Sequence, residues 1–149
     1  MGHARMQTWL VAGLLASVVA SAGERGTPEE ARALLDRAVA LVEDEGEDKA
    51  LAIFNDRQGP FVDRDLYVFC MGREYKITAH VDVGMRGVDV ATLKDPDGKQ
   101  IGREMIEIAK RGGGSLEYRW VNPISKGVEA KISFLKPAGR QTCGVGAYK

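Results

Sequence analysis

The sequence lacks an excess of charge of either sign, because 21 lysine and arginine residues balance 21 aspartate and glutamate residues among 149 residues. A nucleic-acid-binding domain usually carries a surplus or a stripe of basic residues, and an acidic disordered tail carries the opposite surplus. We therefore expect neither class, and no nucleic-acid partner. The length and the 44% hydrophobic content instead indicate one globular domain with a single core.

The sequence also lacks an apolar run long enough for a membrane-spanning helix, which needs ~20 residues. The apolar stretch Trp9–Ala20 has twelve residues, follows Arg5 and ends in small residues up to Ala22. This pattern predicts a secretory signal peptide over residues 1–22, cleaved after Ala22. A periplasmic or secreted domain over residues 23–149 then follows. The alternative is an uncleaved N-terminal anchor.

Cysteine is scarce, and Cys70 and Cys143 both lie in the predicted domain. In an oxidising compartment an even number of cysteines favours a disulfide, and two buried free thiols are the alternative. Neither cysteine has a histidine or a second cysteine at metal-ligand spacing, so no zinc site is expected. We predict no other metal and no cofactor.

Histidine is equally scarce, and one histidine, His80, remains outside the predicted signal peptide. Nucleophilic catalysis by serine or cysteine needs a histidine base in a suitable motif, and none of the serines lies in one. The acidic pairs lie in turn sequences, where aspartate is expected for structural reasons: Asp63 with Asp65, and Asp95 with Asp97. We therefore predict that the protein is not an enzyme. A hydrolase or isomerase that depends on His80 is kept as a lesser alternative.

Three helices are predicted from capping signals and apolar periodicity. Thr27, Pro28 and Glu30 form an N-terminal capping pattern for a long first helix that ends at Gly46. A short second helix is predicted over residues 48–55. Apolar residues at helical spacing between residues 101 and 109 predict a third helix, which ends at a run of three glycines.

Five strands are predicted from runs of strand-forming residues joined by short turns. They cover Leu66–Met71, Glu74–Val81, Ser115–Val121, Glu129–Lys136 and Thr142–Tyr148. Strands joined mostly by hairpins form antiparallel sheets. The fold class is therefore α+β, with a five-stranded antiparallel sheet and helices on one face.

A candidate ligand-binding surface follows from the alternation of side chains along the predicted strands. Tyr118 and Trp120 share one face, and Lys131 and Ser133 share a face of the next strand. Where the two faces coincide, an aromatic wall stands beside an ammonium group, an arrangement that suits a small carboxylate. Two of the residues that complete the predicted surface are Tyr67 and His80. The alternative is that the aromatic residues are ordinary core and that Lys131 reaches solvent.

Six segments of the sequence resemble the single Cache domain, the extracytoplasmic PAS-like sensor module of bacterial chemoreceptors and sensor kinases. They occur in the order of that family, cover about residues 27–149, and read KALAIFND, GPFVDRDLYVFC, ITAHV, KDPDGKQIGREMIEIAKRGGGSLEYRWVNP, EAKISFLK and GVGAYK. The resemblance implies a long N-terminal helix and an antiparallel sheet with a pocket for small molecules, often short carboxylic acids. It also implies that the first and last strands of the sheet are neighbours, which would bring Cys70 beside Cys143.

Individual residues match the motifs of that family or depart from them. Trp120 begins the W-x-N-P turn, Lys131 matches the lysine before an aromatic residue, and Tyr148 matches the terminal tyrosine. Val81 stands where proline commonly follows the histidine, and Phe134 replaces a tyrosine. These two departures change the pocket, so the ligand identity of other members is not transferred.

The resemblance implies a sensor that binds a small organic acid and takes part in signal transduction such as chemotaxis. Sensors of this family usually lie between two membrane helices, and no second apolar span follows in this sequence. We therefore expect a ligand-binding domain that acts through a separate membrane chemoreceptor or sensor kinase, or that forms a homodimer through its first helix. The alternative is a structural or interaction module of the cell envelope that binds no ligand.

Overall fold

The computed structural model describes residues 25–149, so the predicted signal peptide and its cleavage site lie outside the described residues. Within residues 25–149 the helices are α1 (Pro28–Glu45), α2 (Glu47–Phe54) and α3 (Ile101–Lys110), with short 3-10 turns at Val83–Met85 and Val90–Thr92. The strands are β1 (Val62–Asp63), β2 (Leu66–Met71), β3 (Ile77–Ala79), β4 (Gly114–Val121), β5 (Val128–Ala138) and β6 (Gln141–Tyr148).

Helix α1 begins at the predicted capping box. The backbone N–H of Glu30 donates to Thr27 Oγ1 over 3.1 Å, and the backbone N–H of Thr27 donates to Glu30 Oε2 over 2.8 Å. These two bonds satisfy backbone donors that a helix N-terminus leaves without partners. The helix ends before Gly46, whose φ of 85° suits glycine. The predicted first helix is confirmed.

The sheet is antiparallel throughout and has the strand order β1-β2-β6-β5-β4, with β3 paired to the other end of β2. The first long strand, β2, therefore lies beside the last strand, β6, as the resemblance implied. Cys70 and Cys143 are directly opposite each other in this pair and form a disulfide. The predicted disulfide is confirmed.

Two details of the sheet differ from the prediction. A sixth strand, β1, pairs with the start of β2 through a tight turn in which Arg64 has a φ of 56°. The predicted strand over residues 74–81 shortens to β3, because residues 72–76 form a turn in which the Gly72 N–H donates to the Lys76 carbonyl. The α+β class and the antiparallel sheet are confirmed.

The helices lie on both faces of the sheet. Helices α1 and α2 cover the face that carries Val68, Cys70 and Val145. Helix α3 instead packs on the opposite face, with Phe69 and Leu116, because alternation along each strand gives both faces large apolar side chains. The prediction of helices on a single face was thus incomplete. Among the described residues, no helix combines the length and the hydropathy needed to cross a membrane.

Candidate ligand-binding site

The candidate site lies on the sheet face covered by α3. In the ladder of β4, β5 and β6, Lys131 is directly opposite Tyr118 on one side and Tyr148 on the other. Ser133, two residues along β5, therefore points the same way as Lys131. The register thus places the predicted lysine and serine on the same face as the predicted aromatic residues.

Lys131 is buried, with 1% of its surface exposed. Its Nζ donates a hydrogen bond to Tyr67 Oη over 2.9 Å and lies 4.2 Å from the centre of the same ring. The centres of the Tyr148 and Phe69 rings are 4.8 Å and 5.8 Å from Nζ. Ring faces attract an ammonium group, so these rings form a cage around the charge. We call Lys131, Tyr67, Phe69 and Tyr148 the lysine cage.

The charge of Lys131 has no close counter-ion within residues 25–149, because no carboxylate oxygen there lies within 4.0 Å of Nζ. Burial disfavours the ammonium form and lowers the pKa of Lys131 from 10.5 to about 7. The negative charge of Asp65 opposes this effect from a greater distance. The site therefore holds a cation whose charge is poorly compensated inside the protein.

Asp65 is fully buried and was not recognised from the sequence as part of the site. Its Oδ1 accepts from the Gly26 backbone N–H over 2.7 Å, and its Oδ2 accepts from Asn122 Nδ2 over 3.1 Å. Asp65 occupies a turn sequence, where aspartate is common, so no local signal distinguishes it. The available clue was Asn122 in the W-x-N-P turn, 57 positions away in the sequence.

Two glycines in β6 make room for the lysine cage. A methyl group at Gly146 would overlap Lys131 Cε and Ser133 Oγ, and one at Gly144 would overlap the Phe69 ring. The GVGAYK segment therefore has a steric reason for both glycines, which allow side chains of β2 and β5 to cross the backbone of β6.

A narrow pocket lies between the lysine cage and α3. It admits little more than one water molecule, so a larger ligand requires its side chains to move. We call this space the inner pocket. It is lined by Tyr67, Phe69, Ile77, His80, Met85, Leu93, Ile101, Met105, Tyr118 and Trp120.

A wider, partly solvent-filled space of about 790 Å³ shares Tyr67, His80, Met85 and Trp120 with the inner pocket. We call it the vestibule. The exposed cations Arg57 and Lys126 line it. Exposed positive charge near a pocket attracts anions from solution. It adds little to the free energy of binding, because water screens exposed charges.

The six predicted residues fall into two groups. Tyr67, His80, Tyr118 and Trp120 line the inner pocket. Lys131 and Ser133 lie behind this wall: Lys131 contacts Tyr67, and Ser133 Oγ lies 2.9 Å from the Tyr118 hydroxyl. An anion in the pocket would therefore reach Lys131 beside or in place of the Tyr67 hydroxyl.

His80 forms the edge of the pocket as a neutral imidazole. Its Nδ1 accepts from the Asp82 backbone N–H over 2.9 Å, so Nε2 carries the ring proton. Burial and the nearby charge of Lys131 lower the pKa of His80 to about 4. Asn55 at the end of α2 holds the His80 backbone N–H, and Arg86 donates to its carbonyl. The roles of Asn55 and Arg86 were missed from the sequence, because they act through backbone groups.

The tyrosines of the site are also neutral at ordinary pH. Burial raises the pKa of Tyr67, Tyr118 and Tyr148 above the usual value of 10. Tyr148 donates to the Val121 carbonyl over 2.7 Å.

Within residues 25–149, no group of three or more His, Cys, Asp or Glu side chains is arranged to hold a metal ion. The arrangement can thus bind an anion beside aromatic and apolar surface.

An antiparallel sheet with helices on both faces and a pocket beneath α3 is the arrangement of a PAS-like domain, and comparison with known proteins identifies its family. The family model of the single Cache domain 2 matches residues 19–147. The chain therefore belongs to that family, whose members are extracytoplasmic sensor modules.

Solved structures of chemoreceptor domains share the fold. A methyl-accepting chemotaxis protein from Vibrio parahaemolyticus has a TM-score of 0.67 at 20% identity, over 80% of this chain and 86% of that one. A Cache chemosensory domain studied for carboxylic acid recognition has a TM-score of 0.60 at 22% identity, with the same coverage. The periplasmic sensor domain of a chemotaxis protein has a TM-score of 0.60 at 27% identity, over 80% and 88%.

A curated relative matches over a shorter segment. The sensor histidine kinase MctS of Rhizobium johnstonii is 42% identical over 43 residues, which is 29% of this chain and 9% of the kinase. The matched segment thus represents a small part of that kinase.

Proposed function

We propose that this Cache domain binds a short carboxylate in the inner pocket and reports its presence to a separate signalling partner. The observation that carries the proposal is the buried amino group of Lys131, which has no carboxylate within 4.0 Å in the described part of the chain. A buried charge without a close partner costs several kcal/mol. A bound carboxylate would supply the missing charge.

The surroundings of Lys131 support an organic anion in particular. The inner pocket offers aromatic and apolar surface, which suits a carbon chain, and the Tyr67 hydroxyl and His80 Nε2 are its polar edges. Tyr118 and Trp120 would be walls, and Ser133 would fix Tyr118. The carboxylic acid recognised by the Cache domain compared above is consistent with this ligand class.

The partner and location are proposed from the same family. We propose a periplasmic domain, released by cleavage of the predicted signal peptide after Ala22, that acts with a membrane chemoreceptor or a sensor kinase. The similarity to chemotaxis proteins and to a sensor histidine kinase supports this class of partner. A homodimer through α1 would give the partner a two-fold surface, and light scattering of the purified protein would measure it.

The test is binding of sodium acetate, propionate and butyrate by isothermal titration calorimetry, with thermal shift as a second readout. We expect at least one of them to bind the wild-type protein and none to bind Lys131→Met. Lys136→Met is the matched control, because Lys136 is on the same strand but exposed and paired with Asp36. Binding that is equal in wild type and Lys131→Met would contradict the proposal.

The second candidate function is an interaction module that binds no ligand. The narrowness of the inner pocket and the distant charge of Asp65 favour it, because both are compatible with a filled core. Under this alternative no carboxylate shifts the melting temperature, and a membrane partner binds the protein equally well with and without carboxylates. An enzymatic role of His80 predicts turnover that His80→Ala abolishes.

A further inference from the structure

We propose that the carboxylate enters this site together with a proton, which Lys131 takes up to form a buried ammonium–carboxylate pair. The inference rests on the proposed function and concerns the regulation of the same site. Its consequence is a sensor that responds to the product of carboxylate and proton concentrations. Such a sensor reports a given carboxylate more strongly in acidic surroundings.

The geometry of the lysine cage decides how well it holds a charge. Three aromatic rings lie close to Nζ, and within residues 25–149 Nζ donates a hydrogen bond to Tyr67 Oη. The ring faces attract the ammonium form, but the rings and the Tyr67 hydroxyl replace only part of the hydration that burial removes. No carboxylate oxygen of residues 25–149 lies within 4.0 Å of Nζ to replace the rest. The absence of a ligand therefore favours loss of the proton near neutral pH, in line with the lowered pKa of Lys131.

The other titratable groups that face Lys131 do not exchange a proton near neutral pH. Asp65 before β2 favours the proton on Lys131, whereas His80 after β3 is neutral through the relevant range of pH. Tyr67 on β2, Tyr118 on β4 and Tyr148 on β6 keep their protons below pH 10, because burial raises each pKa. Lys131 is therefore the group of the site that exchanges a proton between pH 6 and pH 9.

A bound carboxylate changes the protonation of Lys131. A carboxylate within hydrogen-bonding distance of Nζ stabilises the ammonium form and raises its pKa. Above pH 7 the free site holds mostly the amine, so binding must take a proton from the solution. The apparent affinity then falls about tenfold for each pH unit above 7 and levels off below it.

The experiment is calorimetric titration of the wild-type protein with sodium propionate at pH 6, 7, 8 and 9, in pairs of buffers with different ionisation enthalpies. The dependence of the observed enthalpy on the buffer gives the number of protons taken up. We expect the uptake of much less than one proton per bound propionate at pH 6 and of close to one proton at pH 8 and above. The affinity should be at least about tenfold weaker at pH 8.5 than at pH 6. Sodium acetate and butyrate serve as further probes.

Two variants assign the proton. In Lys131→Met we expect neither binding nor proton uptake. In His80→Gln the ratio of affinities at pH 6 and pH 8.5 should be kept, even where the affinity itself changes, because His80 carries no second proton in this range. Loss of the pH dependence in His80→Gln would assign the proton to His80 and overturn the proposal.

The outcomes separate the two proposals. Propionate binding with the same affinity from pH 6 to pH 9 and without proton uptake would show that Lys131 stays charged in the free site, and the inference would fail while the proposed function stands. Absence of binding by all three carboxylates at every pH would remove the proposed function and the inference together. Nuclear magnetic resonance of the Lys131 side chain gives an independent check, with an expected midpoint near 7 for the free protein.

Discussion

At the scale of single residues, the molecule keeps a lysine in a place where its charge destabilises the unliganded fold. Replacement of a buried charged group by an apolar one of similar size is often neutral or stabilising. Lys131 is buried among apolar and aromatic side chains, and its Nζ donates a hydrogen bond to the Tyr67 hydroxyl, so a methionine would keep most of the packing of the stem. A ligand-binding role explains why a cation occupies this position.

The burial of Lys131 should make the free energy of unfolding depend on pH in the wild type but not in Lys131→Met. Because the pKa of Lys131 falls from 10.5 to about 7 on folding, the unfolded chain binds more protons than the folded one between these values. The free energy of unfolding of the wild type should therefore rise with pH from 7 to 9.5, by up to about 1.4 kcal/mol per unit. In Lys131→Met this rise should disappear, and the variant should exceed the wild type in stability near pH 6.

Urea denaturation at pH 6, 7, 8 and 9.5 measures both effects, with Lys136→Met as the control that keeps the wild-type slope. The range stops below pH 10, because unfolded tyrosines ionise there and the raised pKa of Tyr67 and Tyr118 then lowers stability with pH. Parallel pH profiles of wild type and Lys131→Met would mean that Lys131 is charged in the fold without penalty.

At the scale of the elements, the pairing of β2 with β6 forms the centre of the sheet and joins distant parts of the chain. Cys70 and Cys143 lie in this pair and are 73 positions apart in the sequence. A disulfide that closes a long loop stabilises mainly by restricting the unfolded chain. The bond therefore reinforces the contact that supports both the lysine cage and the core beneath α1.

Removal of the disulfide should lower stability without changing the fold. For the double variant Cys70→Ala/Cys143→Ala we expect a loss of about 4 kcal/mol by the loop-closure relation. Neighbouring pairs such as Val68 with Val145 should keep the strands in register. Denaturation with and without dithiothreitol tests this, since the reductant should destabilise the wild type but leave the double variant unchanged. Equal stability of the oxidised wild type and the double variant would contradict the prediction.

The sequence predicted most elements because their signals are local. The capping box of α1 and the alternation along β4 and β5 act between near neighbours, so Tyr118 was paired with Trp120 and Lys131 with Ser133 from the sequence. That the two pairs share one face depended on the register, which the structure supplies. The face covered by α3 and the position of Lys131 behind Tyr67 depend on how elements pack, which periodicity does not encode. The role of Asp65 in the site was not predicted for the same reason, because its partner Asn122 belongs to another turn.

At the scale of the whole molecule, the pocket is connected to the first turn of α1. Asp65 accepts from the Gly26 backbone N–H, one residue before the N-cap Thr27, and it also acts on the charge of Lys131. Arg25 donates to the Lys149 carbonyl over 2.7 Å and pairs with Glu129 at 2.9 Å. The start of α1 and the end of β6 therefore meet at one edge of the sheet. Asp65 connects this edge to the lysine cage, so a change in the charge of Lys131 can act on it.

If a ligand changes this charge balance, the start of α1 should respond. A ligand acts on a distant element only through a difference in its affinity for two states of that element. We expect propionate to slow hydrogen exchange in residues 26–30, which precede α1 and begin its first turn, as well as in β4 and β5. In Asp65→Ala the response of β4 and β5 should remain while that of α1 is lost. Hydrogen exchange measured by mass spectrometry resolves these segments, and the last turn of α1, residues 42–45, serves as an internal reference because it lines neither the inner pocket nor the vestibule. A response confined to the pocket strands in the wild type would mean that the connection through Asp65 holds the fold together without transmitting ligand binding.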